Sequence, residues 1–146
     1  MQGQIIKQIS NLYTVKVGDM LYGCRARGKF RKNNISPVVG DYVIINTDDN
    51  VIEDILDRKN LLERPVIANV DMAFIVTSTK KPNLDLNLLD KLISVIIFNG
   101  IKPVICFTKL DLLNKKELGE IKEYIKYYRK IGYTVLTNKN HFRIKR

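Results

Sequence analysis

The hydrophobic pattern of this chain changes its period near Pro65, and this change constrains the fold more than any other feature. Before it, short alternating or β-branched runs are separated by turn residues, which is typical of strands. The runs are Gln4–Ile9, Tyr13–Val17, Met20–Arg27, Asp41–Asn46 and Val51–Leu56. Short strands in close succession without a helical period predict a small all-β barrel of the OB-fold-like or SH3-like kind.

After Pro65, fully apolar strands alternate with amphipathic segments of helical period. The predicted elements are the strand Asp71–Ser78, the helix Asp85–Phe98, the strand Pro103–Phe107, a helix that Asn114 opens, and the strand Tyr133–Leu136. Asn114 and Glu117 have capping-box spacing, and Gly132 stands where a helix-terminating glycine belongs. Apolar strands alternating with helices predict parallel βαβ units with right-handed crossovers. The fold class is therefore mixed: a barrel at residues 1–60, a linker at 61–66 and a partial α/β domain at 67–146.

Composition limits the partners. The net charge of +10 over 146 residues favours a polyanionic partner. No apolar run reaches the roughly 18 residues of a membrane span, and the first residues do not resemble a signal peptide, so we expect no membrane partner. Cys24 and Cys106 lie in apolar runs, as reduced thiols of a cytoplasmic protein do. Two cysteines and His141 do not make up a zinc site, so no metal ligands and no catalytic residues are assigned.

A basic cluster follows the third predicted strand. Its members are Arg25, Arg27, Lys29, Arg31 and Lys32, and Phe30 lies among them. In one interpretation the cluster binds RNA, with the cations on phosphates and the ring on a base. Strand alternation would place Arg25, Arg27 and Lys29 on one face. The alternatives are a solvated basic loop and an aromatic residue that closes the end of the barrel.

The strand Pro103–Phe107 is followed by Thr108-Lys109-Leu110-Asp111. An Asp at the end of a buried strand can accept hydrogen bonds from the ring N–H and the amino group of guanine. Adenine would leave this carboxylate unpaired, which discriminates by about 10⁴. The Lys109 stem can lie along the base while its ammonium stays hydrated. The alternative is a helix-entry turn in which Asp111 acts as the cap.

Together these motifs resemble the RsgA/YjeQ (EngC) family of circularly permuted GTPases, which act in small ribosomal subunit assembly. The resemblance covers about residues 1–136. It is carried by Gly23-Cys24-Arg25-Ala26-Arg27-Gly28-Lys29-Phe30-Arg31, Pro37-Val38-Val39-Gly40-Asp41-Tyr42-Val43, Arg64-Pro65 followed by Ala68-Asn69-Val70-Asp71, and the Thr108–Asp111 motif.

The resemblance implies a GTPase whose guanine-reading loop precedes its phosphate-binding loop. Asp111 would be the guanine-specificity carboxylate and Lys109 the base-stacking residue. Thr108 replaces the more usual Asn, and its shorter side chain lacks the amide that braces neighbouring loops. The implied partners are guanine nucleotide and the 30S ribosomal subunit with its 16S rRNA, and a cytoplasmic monomer is expected.

The chain departs from the family pattern after Leu136. No G-x-x-x-x-G-K-[ST] or D-x-x-G segment occurs in it, so the charge clamp and the Mg²⁺ ligand of phosphoryl transfer are missing. We expect the front half of a GTPase, from a truncated frame or a shortened piece, that binds GTP or GDP weakly or not at all and does not hydrolyse GTP. Mg²⁺ and Zn²⁺ would belong to the intact family protein only. The alternatives are a non-enzymatic basic RNA-binding module and an inactive fragment.

Overall fold

The computed structural model describes residues 1–32 and 35–138, without the side chains of Arg31 and Lys32. The chain divides into two compact units, residues 1–70 and 71–146. No helix among the described residues has both the length and the apolar character needed to cross a membrane.

The first unit is built around a closed five-stranded barrel, which confirms the predicted fold. Its strands are β1 (Gln2–Ile9), β2 (Leu12–Val17), β3 (Met20–Ala26), β4 (Tyr42–Asn46) and β5 (Val51–Ile55), in the order β1-β2-β3-β5-β4. The barrel closes through antiparallel pairing of β1 with β4, and β3 and β5 pair in parallel. Alternation along each strand sends one set of side chains inward. The core consists of Ile5, Tyr13, Val15, Cys24, Phe30, Val43, Ile45 and Ile52.

A buried ion pair fixes the segment before β4. Asp41 is fully buried and accepts hydrogen bonds from the Val38 amide (2.8 Å) and from Nε and Nη2 of Arg58 (2.7 and 2.8 Å). The hydrogen bond to Asp41 raises the pKa of Arg58 above its usual value. Gly40 has φ +93°, and a Cβ there would lie 2.0 Å from the Ala68 carbonyl oxygen, so only glycine fits.

A short hairpin follows the barrel. Its strands β6 (Leu61–Glu63) and β7 (Val66–Ala68) pair antiparallel, and the Ala68 amide donates to the Val39 carbonyl at 2.9 Å. These strands cover the segment that the sequence analysis assigned to a linker, and the first unit extends to Val70. Strands of three residues are too short to show a period, so the hydrophobic pattern does not reveal them.

The second unit is a three-stranded parallel sheet with two helices, which confirms the predicted βαβ units. Its elements are β8 (Met72–Ser78), α2 (Leu86–Phe98), β9 (Lys102–Thr108), a 3₁₀ turn (Leu110–Leu112), α3 (Lys115–Lys130) and β10 (Thr134–Thr137), and the strand order is β10-β9-β8. A further short helix, α1 (Lys29–Lys32), belongs to the first unit. The predicted capping box of Asn114 and Glu117 is present at the start of α3.

Both helices of the second unit lie on the same face of its sheet, because right-handed crossovers connect consecutive neighbouring strands. The Tyr128 hydroxyl on α3 donates to Asp90 Oδ1 on α2 at 2.7 Å, and the rings of Tyr128 and Phe107 are 6.4 Å apart. Ile75, Ile105, Phe107 and Val135 are buried on this face. The helices cover this face, and the opposite face is exposed along β8 at Met72, Phe74 and Val76, whereas Val104 in the central strand is buried.

Candidate guanine-recognition loop and basic barrel surface

The ends of the three parallel strands bring the loops of the candidate nucleotide site together. Ser78 on β8 pairs in register with Thr108 on β9, and Thr137 on β10 pairs with Phe107. The loops that follow these strands therefore leave the same edge of the sheet. Ligands of open α/β sheets bind at the carboxyl ends of the strands, so this edge is the natural place for a nucleotide.

Thr108 braces the loop through its hydroxyl and its carbonyl. Its Oγ1 donates to the Thr77 carbonyl at 3.1 Å. Its carbonyl accepts from the amide and the hydroxyl of the buried Thr79, at 3.1 and 2.8 Å. These bonds join the end of β9 to the end of β8. The hydroxyl is shorter than an Asn side chain, and it contacts the neighbouring strand β8, whereas the contact to the loop residue Thr79 is made by the Thr108 carbonyl.

Lys109 reverses the chain after β9. It has φ +60° and ψ +30°, a left-handed conformation that costs a non-glycine residue about 1–2 kcal/mol. Its Nζ donates to the carbonyl of Lys81, so the side chain bridges the loops that follow β9 and β8. The reversal buries Leu110 and leaves Asp111 exposed. The surrounding contacts therefore hold Lys109 in the conformation that presents the carboxylate.

Asp111 does not cap α3, because Asn114 does. The Asn114 side chain accepts from the Glu117 amide at 2.9 Å, and Glu117 accepts from the Asn114 amide at 2.8 Å. No side chain caps the 3₁₀ turn that contains Asp111. Instead, Asp111 Oδ1 accepts a hydrogen bond from Asn138 Nδ2 at 3.1 Å. The carboxylate thus lies at the strand edge, beside the loop that follows β10.

Asn138 was not among the residues predicted to lie beside this carboxylate. The backbone amide of Asn138 donates to the Phe107 carbonyl at 3.2 Å, which aligns the loop after β10 with the loop after β9. Thr137 is the last residue of β10. The adjacency of parallel strand ends would have indicated Asn138, because it directly follows such a strand.

An ion pair secures the loop after β8 to α3. Lys80 Nζ donates to Glu117 Oε1 and Oε2 at 2.9 and 2.8 Å. The hydrogen bond from Lys80, followed by that from the Asn114 amide, lowers the pKa of Glu117 below its usual value. The cap of α3 and the loop after β8 therefore form one network beside the candidate site.

The cations of the basic cluster differ in their surroundings. Arg27 forms an ion pair with Glu53 at 3.0 Å, and Lys29 lies 3.7 Å from Asp54. Arg25 is exposed and has no acidic partner within the described part of the chain. Arg25 and Arg27 line a hollow of about 310 Å³ at the end of β3. Among Arg25, Arg27 and Lys29, whose side chains the structure describes, Arg25 is therefore the most available to a phosphate.

Two expectations about this cluster need correction. Strand alternation does not extend from Arg25 to Lys29, because β3 ends at Ala26 and Lys29 begins α1. Phe30 is only 6% exposed and packs in the barrel core, so its ring closes the barrel and offers no free face to a base. The backbones of Arg31 and Lys32 lie in α1, and their side chains fall outside the described part of the structure.

The architecture matches the class of circularly permuted GTPases. YloQ, described as a circularly permuted GTPase, superposes with a TM-score of 0.78 and 40% identity, over 93% of this chain and 50% of that one. YjeQ from Thermotoga maritima gives a TM-score of 0.83 and 32% identity, with the same shares of the two chains.

Family models make the assignment more specific. The RsgA N-terminal domain matches residues 2–52, and the RsgA GTPase model matches residues 55–145. The chain belongs to the RsgA GTPase family. The small ribosomal subunit biogenesis GTPase RsgA of Bacillus cereus is 42% identical over 138 residues, which are 92% of this chain and 47% of the relative. RsgA 1 of Listeria monocytogenes is 46% identical over 138 residues, which are again 92% of this chain and 47% of the relative. The chain spans about half the length of the curated relatives it matches.

Proposed function

We propose that this chain supplies the RNA-binding barrel and the guanine-recognition half-site of a GTPase that assembles the small ribosomal subunit. Family membership and the names of the relatives support the biological role. The observation that carries the nucleotide assignment is the exposed Asp111 carboxylate, which a braced loop presents at the carboxyl edge of a parallel sheet. The protein acts as a monomer in the cytoplasm, and its partners are the 30S subunit and its 16S rRNA.

Guanine recognition follows from the acceptor geometry of a carboxylate. Two oxygens on one carbon match the N1–H and the exocyclic amino group, which are adjacent donors on guanine. Among the described residues Asn138 is the donor to Asp111, so the carboxylate retains capacity for both base contacts. The Lys109 stem, held between two loops, offers an apolar surface along the base.

Hydrolysis requires groups that these residues do not include. Hydrolysis of a nucleoside triphosphate needs backbone amides and a lysine around the phosphates, and a Mg²⁺ ion that is bound by a Ser or Thr hydroxyl. No G-x-x-x-x-G-K-[ST] segment occurs in the sequence. We assign the phosphate and Mg²⁺ contacts, and any Zn²⁺ site, to the part of the family protein that this chain does not match. This chain then contributes base selection, and its own affinity for GTP or GDP is weak.

The base-reading assignment can be tested in a fusion of residues 1–138 with the second half of the Bacillus cereus relative. Fluorescent GDP is titrated into the fusion, with ATP, GTP and xanthosine diphosphate as competitors. We expect GDP and GTP to compete and ATP to fail. Asp111→Asn should bind GDP less tightly and xanthosine diphosphate more tightly, because its side-chain amide can donate to the 2-oxo group that replaces the amino group of guanine. Asp19→Asn, an exposed change on a barrel turn, is the matched control. An unchanged base preference in Asp111→Asn would refute the assignment.

The RNA assignment can be tested on the chain itself. Co-sedimentation with 30S subunits should weaken steeply as the salt concentration rises. Arg25→Ala should reduce binding more than Lys16→Ala, which removes an exposed cation elsewhere on the barrel. The second candidate is a non-enzymatic RNA-binding module, which is favoured by the absence of an acidic partner for Arg25 among the described residues. It predicts that guanine nucleotide does not change RNA binding by the fusion. Equal effects of the two substitutions would count against the barrel surface as the RNA site.

A further inference from the structure

A row of cations follows one exposed flank of α3. Lys122, Lys126 and Arg129 follow Lys115 by seven, eleven and fourteen positions, and all four side chains are exposed. Residues with this spacing lie on one side of a helix, because a turn contains about 3.6 residues. At a rise of about 1.5 Å per residue the row is about 21 Å long. We call these four residues the α3 basic stripe.

The α3 basic stripe lies on the flank of the helix that is turned toward β10. Arg129 Nη2 donates to the Val135 carbonyl of β10 at 3.0 Å, and this bond holds the guanidinium beside that strand. Tyr128, which is bonded to Asp90 of α2, lies on a different side of α3 and is buried. Within residues 71–138, β10 is at one end of the strand order β10-β9-β8. The stripe therefore lies away from α2, at the border of the described sheet.

Little of this positive charge is neutralised within the chain. Lys115 and Lys122 have no acidic partner in the part of the protein that the structure describes. Lys126 pairs with Glu123 at 2.7 Å, but the two side chains are 72% and 69% exposed, and such pairs are weak. Arg129 donates to a neutral carbonyl and keeps its charge. All four cations are therefore accessible to an anionic partner.

A glycine interrupts the side chains of the stripe. Gly119 is exposed within α3, between Lys115 and Lys122, and a Cβ there would meet no other atom within 4 Å. Glycine inside a helix is less favourable than alanine, and no close packing within the described residues requires it here. The missing side chain leaves the helix backbone open at this point, so the backbone of a partner can approach it closely.

We propose that the α3 basic stripe binds the phosphate backbone of one strand of small-subunit rRNA, as a contact separate from the basic cluster of the barrel. This inference rests on the ribosomal role in the proposed function, and it assigns an RNA contact to the second unit. At about 3.4 Å per nucleotide, a stripe of about 21 Å spans about six phosphates. Neither the stripe nor Gly119 offers a ring to stack on a base. The contact therefore recognises the backbone and not the base sequence.

The test is co-sedimentation of the full chain with purified 30S subunits, measured from 50 to 400 mM KCl. Lys122→Gln with Lys126→Gln removes two phosphate contacts, and each contact changes the slope of log K against log salt by about 0.7 on single-stranded RNA. We expect about 25-fold weaker binding at 0.1 M salt and a slope that is less steep by about 1.4. The control Lys91→Gln with Lys116→Gln lowers the net charge equally at exposed positions outside the stripe, and it should have a much smaller effect.

A substitution that leaves the net charge unchanged tests the close approach at the glycine. Gly119→Leu places a bulky side chain within the stripe, at a position where a Cβ meets no other atom. Leucine favours a helix, so the thermal midpoint of the chain should stay the same or rise. Binding to 30S subunits should nevertheless weaken about fivefold, as for the loss of one phosphate contact. Unchanged binding would overturn the close approach.

Arg25→Ala distinguishes failure of this inference from failure of the proposed function. If Arg25→Ala weakens binding and the stripe variants do not, the inference is overturned and the barrel assignment stands. If the unsubstituted chain does not sediment with 30S subunits, both are overturned. Tighter binding to phosphatidylglycerol vesicles than to 30S subunits, lost in Lys122→Gln with Lys126→Gln, would assign the stripe to a membrane surface and overturn the RNA contact.

Discussion

Two acids of β5 form ion pairs with cations of the basic cluster, and at the proposed RNA site they would compete with phosphates for these cations. Glu53 holds Arg27 at 3.0 Å and Asp54 lies 3.7 Å from Lys29, with all four side chains between 37% and 65% exposed. Exposed pairs contribute about 0–1 kcal/mol, so their loss hardly affects the fold. Glu53→Gln keeps the size of the side chain and releases Arg27. We therefore expect tighter RNA binding with little change in stability.

The magnitude follows from counterion release. One further phosphate contact on single-stranded RNA changes the slope of log K against log salt by about −0.7. At 0.1 M salt this slope corresponds to about fivefold tighter binding, and adding Asp54→Asn extends it to about 25-fold with a slope change of about −1.4. Fluorescence anisotropy of a labelled single-stranded segment of small-subunit rRNA, measured from 50 to 400 mM KCl, gives both quantities.

A control substitution separates the release of Arg27 from the effect of a higher net charge. Glu63→Gln removes an exposed acid of the β6–β7 hairpin that has no ion-pair partner among the described residues. It should change the affinity much less than Glu53→Gln. If both substitutions strengthened binding equally, the Arg27–Glu53 contact would not regulate access to phosphate. An unchanged slope in Glu53→Gln would show that Glu53 does not keep Arg27 from an RNA phosphate.

Three further predictions concern the framework of the two units. Arg58→Met leaves the buried Asp41 carboxylate without its cation and should lower the free energy of unfolding in urea by about 3 kcal/mol. The double substitution Arg58→Met with Asp41→Asn should recover part of this loss. No recovery would contradict the pairing. The pKa of Glu117 is lowered in the folded chain, so the stability from its pair with Lys80 is present above the usual carboxyl value of about 4.3 and is lost as pH falls through the folded pKa. In an NMR titration Lys80→Ala should raise the Glu117 midpoint, and an unmoved midpoint would refute the cause. Gly40→Ala drives a Cβ into a backbone carbonyl and should unfold the barrel, as seen by circular dichroism; a native spectrum would refute the close approach.

Local features of the structure were predictable because they depend on neighbouring residues. Inward alternation of Tyr13 and Val15 defines β2, and the spacing of Asn114 and Glu117 defines the start of α3. The buried run of β9 followed by a polar loop identified the position of Asp111. The resemblance to a known family then supplied the interpretation of that loop.

Other features depend on where the chain returns to itself. The local sequence pattern could not decide whether the Phe30 ring stacks on a base or packs in the core. The ring is buried by the closure of the barrel, which involves residues far apart in the sequence. It could not show that Arg27 meets Glu53, since that contact depends on the parallel pairing of β3 with β5.

The sequence by itself determined the two kinds of unit, their order and the loop that carries the candidate carboxylate, because periodicity and capping are set within a few residues. Only the tertiary structure decided which charges are paired, which aromatic ring is buried, and that Asn138 meets Asp111 across two strand ends.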